Sequence, residues 1–310
     1  MFQGKDMCLI MNMKLGQIYN RWMGTLTQST KTSKCVVFST LNDQMLISRK
    51  IHWDKYVKRM LDLPKSKSLL DILGICIDDT HLYLVHEYVV CETLETRIEA
   101  RRDGGSYYVT SLWQSEVKSH LMNLLEGMEI IHSYGLLHPG LTAGKILVTN
   151  RGICKLYDFC LPQDATSKLM ILKSQGKHFV RQLPPESLLR NEYLQESDVW
   201  SFATVVWNLV SKESVEAIED NEMISMEESI ASLSEKWPAE FCHLRNPNLF
   251  RCWMFNSSLR PSMNSLRKSF MEILSFKTTS SLSETLSDSQ SDLYLPMKGP
   301  SNSKVIETDF

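Results

Sequence analysis

Few side chains in this sequence are grouped as a reactive site would need them. Eight cysteines stand at positions 8, 35, 76, 91, 154, 160, 242 and 252 with no C-x-x-C pair. That spacing argues against a zinc site and against a dense disulfide framework, so reduced thiols in the cytosol are the expectation. A phosphate cradle needs a glycine-rich loop whose backbone N–H groups approach the anion. The stretch from Lys14 to Leu26 keeps only Gly16 and Gly24, and no G-x-G-x-x-G occurs. Gly16 therefore reads as a plain turn residue. From Lys212 to Lys236 the chain is acidic, with Glu213, Glu216, Glu219, Asp220, Glu222, Glu227 and Glu228. A solvated helix face explains that run better than a dedicated docking surface.

The elements that must position any site can be read from pattern. Lys34-Cys-Val-Val-Phe-Ser-Thr-Leu41 is a strand of the buried type. Trp53, Tyr56, Val57, Met60 and Leu61 recur at three- and four-residue spacing, the stripe of an amphipathic helix. Leu69 to Ile77 and Leu82 to Tyr88 read as paired strands joined by a turn at Asp78-Asp79. Val117 to Ser133 reads as a helix ending near Gly135. Lys145 to Val148 and Cys154 to Tyr157 are short strands around a turn at Asn150-Arg-Gly152, and helices follow from Asp198 onward. A sheet-rich small half before a helical large half predicts an α+β protein with two lobes and a cleft between them. We place the lobes at residues 10–90 and 91–275. Residues 276–310 are rich in serine, with Pro296 and Pro300, and bury too little apolar surface to offset their chain entropy; they are expected to be a disordered tail.

Composition bounds the function. With 310 residues, 43% hydrophobic and 23% charged, the chain is ordinary for a soluble globular protein. A net charge of -2 gives no basic field for nucleic acid. No run of eighteen apolar residues occurs, so no membrane span is expected, and the first twenty residues lack the layout of a signal peptide.

Several segments, in order, resemble the protein kinase domain, in its tyrosine kinase branch and with the flavour of the receptor-type Ryk and Ror families. Leu137-His-Pro-Gly-Leu-Thr-Ala-Gly-Lys145 lies where that family has its catalytic loop H-R-D-L-A-A-R-N. Asp158-Phe-Cys160 stands in place of D-F-G, and Val180 to Leu188 in place of the A-P-E segment. Ser197-Asp-Val-Trp-Ser-Phe202, Cys252-Trp253 and Arg260-Pro-Ser262 complete the set. The resemblance spans about residues 10 to 275 and implies the two-lobed kinase fold.

The same alignment implies that the chemistry has been lost. Phosphoryl transfer needs phosphates clamped by cations and amides, metal held by acidic and amide groups, and a base at the acceptor hydroxyl. By resemblance the strand lysine falls on Ser39, and its helix glutamate partner on Val57. The base aspartate falls on Gly140, its arginine neighbour on Pro139, and the metal-binding asparagine on Lys145. Asp158 alone is left as a metal ligand, with a capping or turn carboxylate as the plainer reading. The packing positions are kept: Glu186 with Arg260, Asp198 beneath the catalytic loop, and His138, Phe159, Leu61 and Ile72 as the side chains that couple the lobes. Ile18, Val37 and Leu147 match the residues around the adenine, His86 the residue at the back of the cleft, and Glu87, Tyr88 and Val89 the hinge. His86 reads more simply as a hydrogen-bonded core histidine. The expectation is a folded pseudokinase with no cofactor, with Mg-ATP as the one to test. A weak protein kinase working through Asp158 is the alternative.

The tail supplies partner signals. Tyr294-Leu-Pro-Met297, once phosphorylated, resembles a docking site for the regulatory subunit of phosphoinositide 3-kinase, and Thr308-Asp-Phe310 fits a carboxylate-capturing PDZ ligand. Signalling proteins, an active tyrosine kinase or a receptor among them, are the implied partners. The implied location is cytoplasmic with recruitment to the plasma membrane by a receptor partner; a fragment of a larger receptor is the other reading.

Overall fold

The computed structural model describes residues 2–15, 18–27, 32–42, 52–103, 111–174, 183–211 and 233–288. Its first part forms strands β1 (Phe2–Gln3), β2 (Met7–Leu15), β3 (Tyr19–Thr27), β4 (Ser33–Leu41), β5 (Ile72–Ile77) and β6 (Leu82–Glu87). These make one sheet in the order β1-β5-β6-β4-β3-β2, with β1 parallel to β5 and the other neighbours antiparallel. The sheet therefore begins at residue 2, ahead of the boundary expected at residue 10.

Strand β4 is central, and its burial explains its continuous apolar run: both faces are covered. Val36 and Phe38 pack outward with Leu26, Cys76, Tyr83 and Val85. Val37 and Ser39, on the opposite face, border the cleft. Gly24 sits between β2 and β4, where an added Cβ would stand 2.3 Å from the Cys8 carbonyl oxygen. It is a close-approach residue of the sheet, whatever the loop before it does; Gly16 lies outside the described residues.

Helix α1 (Trp53–Leu61) buries Trp53, Tyr56, Val57 and Met60. Leu61 is 45% exposed, whereas Met60 is 3% exposed. The lobe-coupling position expected at Leu61 is thus taken by Met60, because the buried stripe of this short helix closes one residue earlier. Ile72 packs against the main core as expected.

The larger lobe contains β7 (Cys91–Thr93), α2 (Leu94–Asp103), α3 (Ser111–Ser133), β8 (Ile146–Thr149), β9 (Cys154–Leu156), α4 (Pro162–Lys173), α5 (Pro185–Arg190), α6 (Gln195–Val210), α7 (Pro247–Phe250) and α8 (Met263–Asp288). Leu121, Leu124, Phe202, Trp207, Phe241 and Phe270 lie in the core that α3, α6 and α8 share. Strands β7, β8 and β9 form a small sheet under the cleft. The eight cysteines carry no disulfide. Helix α8 continues through 276–288, where composition predicts a disordered tail. No proline interrupts it, and serine lowers helix propensity only modestly once a packed first half has nucleated the helix. Residues 289–310, including Tyr294, Met297 and Thr308-Asp-Phe310, and most of the acidic stretch lie outside the described residues. Among the described residues no helix is long and apolar enough to cross a membrane.

Candidate functional site

Strands β3, β4 and β6, helix α1 and the start of β8 enclose a cavity of about 260 Å³ between the lobes. Of the residues expected there, Val37, Ser39, Glu87, Val89, Leu147 and Asp158 line it, together with His86 and Tyr88. Ile18 does not. It precedes β3 and is buried in the main core, and the strand's period of two instead presents Tyr19 and Arg21 to the cavity. The Glu87 carboxylate accepts from the Asp71 N–H at 3.0 Å and pairs with Lys155 of β9, across the lobe boundary, at 2.8 Å. The helix position that would hold the glutamate partner is Tyr56, not Val57: Tyr56 and Trp53 form the cavity's rear wall with Tyr19, at ring separations of 5.5 to 6.1 Å.

The centre of the cleft is Asp158. Its backbone is left-handed, φ 72°, and its carboxylate is surrounded by protein cations. Arg21 donates to Oδ1 at 2.9 Å, Lys145 to Oδ2 at 3.2 Å, and the Lys168 ammonium lies 3.4 Å from Oδ1. Lys168 also donates to the Asp158 carbonyl oxygen. Burial alone would raise the Asp158 pKa, but Lys168, Lys145 and Arg21 together hold it well below the usual carboxylate range. Three positive charges against one negative leave the neighbourhood cationic. Aromatic faces share that charge: Arg21 lies over Tyr19 and Tyr157, and Lys168 over Tyr19, at 5.3 to 5.6 Å.

This arrangement does not fit Mg-ATP. A hard dication needs free anionic oxygens, and both Asp158 oxygens are already held by cations. Lys145, where the family has its second metal ligand, is itself one of them. Among the described residues no group of three or more His, Cys, Asp or Glu could hold a metal. The metal reading of Asp158 is therefore corrected to an ion-pair hub, and the capping or turn reading falls with it.

Lys168 reaches this hub from α4, in the segment that follows Asp158-Phe-Cys160. Its side chain is 1% exposed. Four residues earlier on the same helix, Asp164 is equally buried and accepts from the backbone N–H of His52 at 3.1 Å and contacts His52 Nδ1 at 2.6 Å. His52 is the N-cap of α1. Helix α4 thus joins the small lobe to the cleft floor, while Ala165 and Leu169 anchor it to Leu137, Cys160, Leu183 and Tyr193. Neither Arg21 nor Lys168 stands out in the sequence. Arg21 sits on a strand with no glycine-rich loop to flag its register, and buried charges on α4 reverse the binary pattern used to find helices.

The catalytic-loop backbone is held from below. Asp198 accepts from the His138 N–H at 2.9 Å, from Tyr193 at 2.7 Å, and contacts His132 Nε2 at 2.9 Å. His138 packs edge-on against Phe159, with ring centroids 5.8 Å apart, and burial pushes its pKa down to about 4, so it is neutral. Gly140, where the base would stand, has φ 84°. An L-residue is strained there, so Gly140→Asp should cost about 1–2 kcal/mol by chemical denaturation. It should also restore no phosphotransfer, since Ser39 and Lys145 are unchanged; peptide phosphorylation by that variant would show that the base alone was missing. Further out, Arg260 grips Glu186 in a bidentate pair at 2.7 and 2.9 Å, with Ser197 donating to the same carboxylate at 2.7 Å.

Comparison with known proteins agrees with this architecture. A family model described as protein tyrosine and serine/threonine kinase matches residues 10–270. Tyrosine kinase receptor Cad96Ca of Drosophila melanogaster is 32% identical over 158 residues, which is 49% of this chain and 20% of that protein. The chain thus matches about one fifth of that relative's length, and the likeness lies with the tyrosine kinase branch.

Proposed function

This chain belongs to the protein tyrosine and serine/threonine kinase family, and we propose that it is a catalytically inactive member, a pseudokinase working as a signalling interaction or allosteric module. The observation that carries this reading is the Asp158 hub: the carboxylate that should face metal is neutralised by Arg21, Lys145 and Lys168. Gly140 cannot accept a proton and Ser39 cannot clamp a phosphate, which supports the same reading. The packing positions that hold a kinase lobe together keep their polar partners, which supports a folded module. In this reading the partners are signalling proteins, among them one that recognises phosphorylated Tyr294 with Met297. The protein acts at the cytoplasmic face of a receptor partner.

The alternative, weak transfer of phosphate from ATP to protein working through Asp158, draws on family membership and on that retained carboxylate. Incubation of the purified chain with radiolabelled ATP, Mg²⁺ and a tyrosine peptide separates the two. No label above a Lys145→Ala, Asp158→Ala control is expected; label that tracks the wild-type protein through purification overturns the proposal.

A further inference from the structure

A second cavity lies in the small lobe, outside the cleft, where the end of α1 meets the start of β5. It holds about 270 Å³, and Leu61, Leu63, Pro64, Ile72 and Leu73 are among its apolar walls. Leu61 is 45% exposed, and Leu63, Ile72 and Leu73 are half-buried. Large apolar side chains left open around one hollow mark a contact site rather than a core.

Backbone geometry builds this hollow. The register of β5 with β6 passes from Ile72 to Gly74 and skips Leu73, which makes Leu73 the extra residue of a β-bulge. A bulge leaves its extra residue out of the ladder, so the Leu73 amide and carbonyl are not spent on β6. Gly74 carries the bulge with φ 146°, a conformation that L-residues avoid, and an added Cβ would meet the Phe2 ring at 3.2 Å.

Size and charge set the occupant. A volume of this order holds one large side chain rather than a whole cofactor. Lys65 and Asp71 are the charged lining residues. Lys58 is exposed one turn before Leu61 on α1, and the Lys67 side chain is 62% exposed two residues beyond Lys65. From Lys58 to Asp71 the cations Lys58, Arg59, Lys65 and Lys67 outnumber the carboxylates Asp62 and Asp71. Apolar walls beside an excess of positive charge complement an apolar residue flanked by acids.

We propose that this hollow docks an acidic peptide segment of a partner protein, with one bulky apolar side chain seated against Leu61 and Leu73 and flanking carboxylates on the lysines. This deepens the interaction-module reading by giving it a surface and a partner chemistry, and it rests on that reading only in expecting a protein partner.

The probe is a fluorophore-labelled acetyl-Glu-Glu-Phe-Leu-Glu-Asp-amide, titrated with the full chain and followed by fluorescence polarisation. Saturable binding with Kd on the order of 100 μM is expected. Leu61→Glu should weaken it at least about tenfold, and Lys65→Glu about threefold to tenfold. Leu61→Gln repeats the first test without an added charge. All three variants should melt within about 2 °C of wild type, since both positions are exposed. Alanine for phenylalanine in the peptide should cost about tenfold, and raising salt from about 0.05 to 0.5 M should weaken binding severalfold. The proposal is overturned by absence of saturation at about 1 mM, by undiminished binding in the Leu61 and Lys65 variants, or by equal affinity for a peptide with lysine in place of every acid. Phosphatidylserine vesicles that bind through Lys65 while the peptide does not also overturn it, and give the lysines to a membrane surface. None of these outcomes involves phosphotransfer, so the inactive-kinase reading can fail or stand separately.

Discussion

Arg260→Ala should lower the unfolding free energy by about 3–5 kcal/mol, more than any other single substitution proposed for this protein. The Arg260 and Glu186 side chains are 0% and 2% exposed. Removing the guanidinium leaves a buried carboxylate with no cation, held by the Ser197 hydroxyl and the Glu186 backbone N–H, and it also abandons the carbonyls of Met254 and Glu196, to which Arg260 donates at 3.0 and 2.9 Å. The midpoint of thermal unfolding should fall by roughly 10 °C. Arg260→Met with Glu186→Leu should recover part of the loss, because replacing both members removes the orphaned charge. A loss under about 1 kcal/mol for Arg260→Ala would mean that this pair does not hold the α5 segment to the rest of the large lobe.

Lys168→Met should come next in magnitude, and its signature is a pH dependence. The substitution keeps the apolar stem but removes the ammonium from Asp158, for an expected loss of about 2–3 kcal/mol at pH 7. Asp158 has a depressed folded pKa. Its ion pairs therefore contribute stability that is fully present above the unfolded carboxylate value, about 3.9, and is lost as pH falls through the folded value. The unfolded carboxylate is the same in both proteins, so the gap between wild type and Lys168→Met should stay constant from about pH 7 to 5 and narrow only once pH falls through the folded Asp158 value of the variant, which Arg21 and Lys145 still hold down. Denaturant unfolding at a series of pH values measures it. A gap that stays unchanged even below the pH at which Asp158 titrates in both folded proteins, followed by carboxyl NMR, would show that Lys168 acts through packing rather than through the Asp158 charge.

These two sites show what the sequence could and could not disclose. The Glu186–Arg260 pair and the Asp198 hydrogen bonds were legible because motif residues keep their spacing, and their partners are fixed by the fold. Strands β4, β5, β6, β8 and β9 and helix α1 were legible because apolar periodicity is set by which face is covered, whereas β1, β2, β3 and β7 were not read. The hub was half legible. Lys145 and Asp158 can be named from motif position. Arg21 needs the register of β3, where a slip of one position exchanges the two faces and points to Ile18 instead. Lys168 needs a buried lysine on a helix that no periodicity announces. Leu61 and Val57 each miss by one residue for a related reason: helical periodicity tolerates a shift of one position where side chains do not. Ser39 and His86 can each be read singly from motif position, whereas Tyr19, like Arg21, needs the register of β3.

If Asp158 is occupied by the protein's own cations, it cannot hold a metal with nucleotide, and this is open to direct measurement. Mn²⁺ replaces Mg²⁺ in such sites and is visible by electron paramagnetic resonance. Mn²⁺ is titrated into the full chain with equimolar ATP at a protein concentration of about 0.1 mM, on the order expected to populate a functional nucleotide site. Only the signals of free Mn²⁺ and Mn²⁺–ATP should appear. A saturable protein-bound Mn²⁺ signal that requires ATP and disappears in Asp158→Asn would show instead that the carboxylate is free to take a metal.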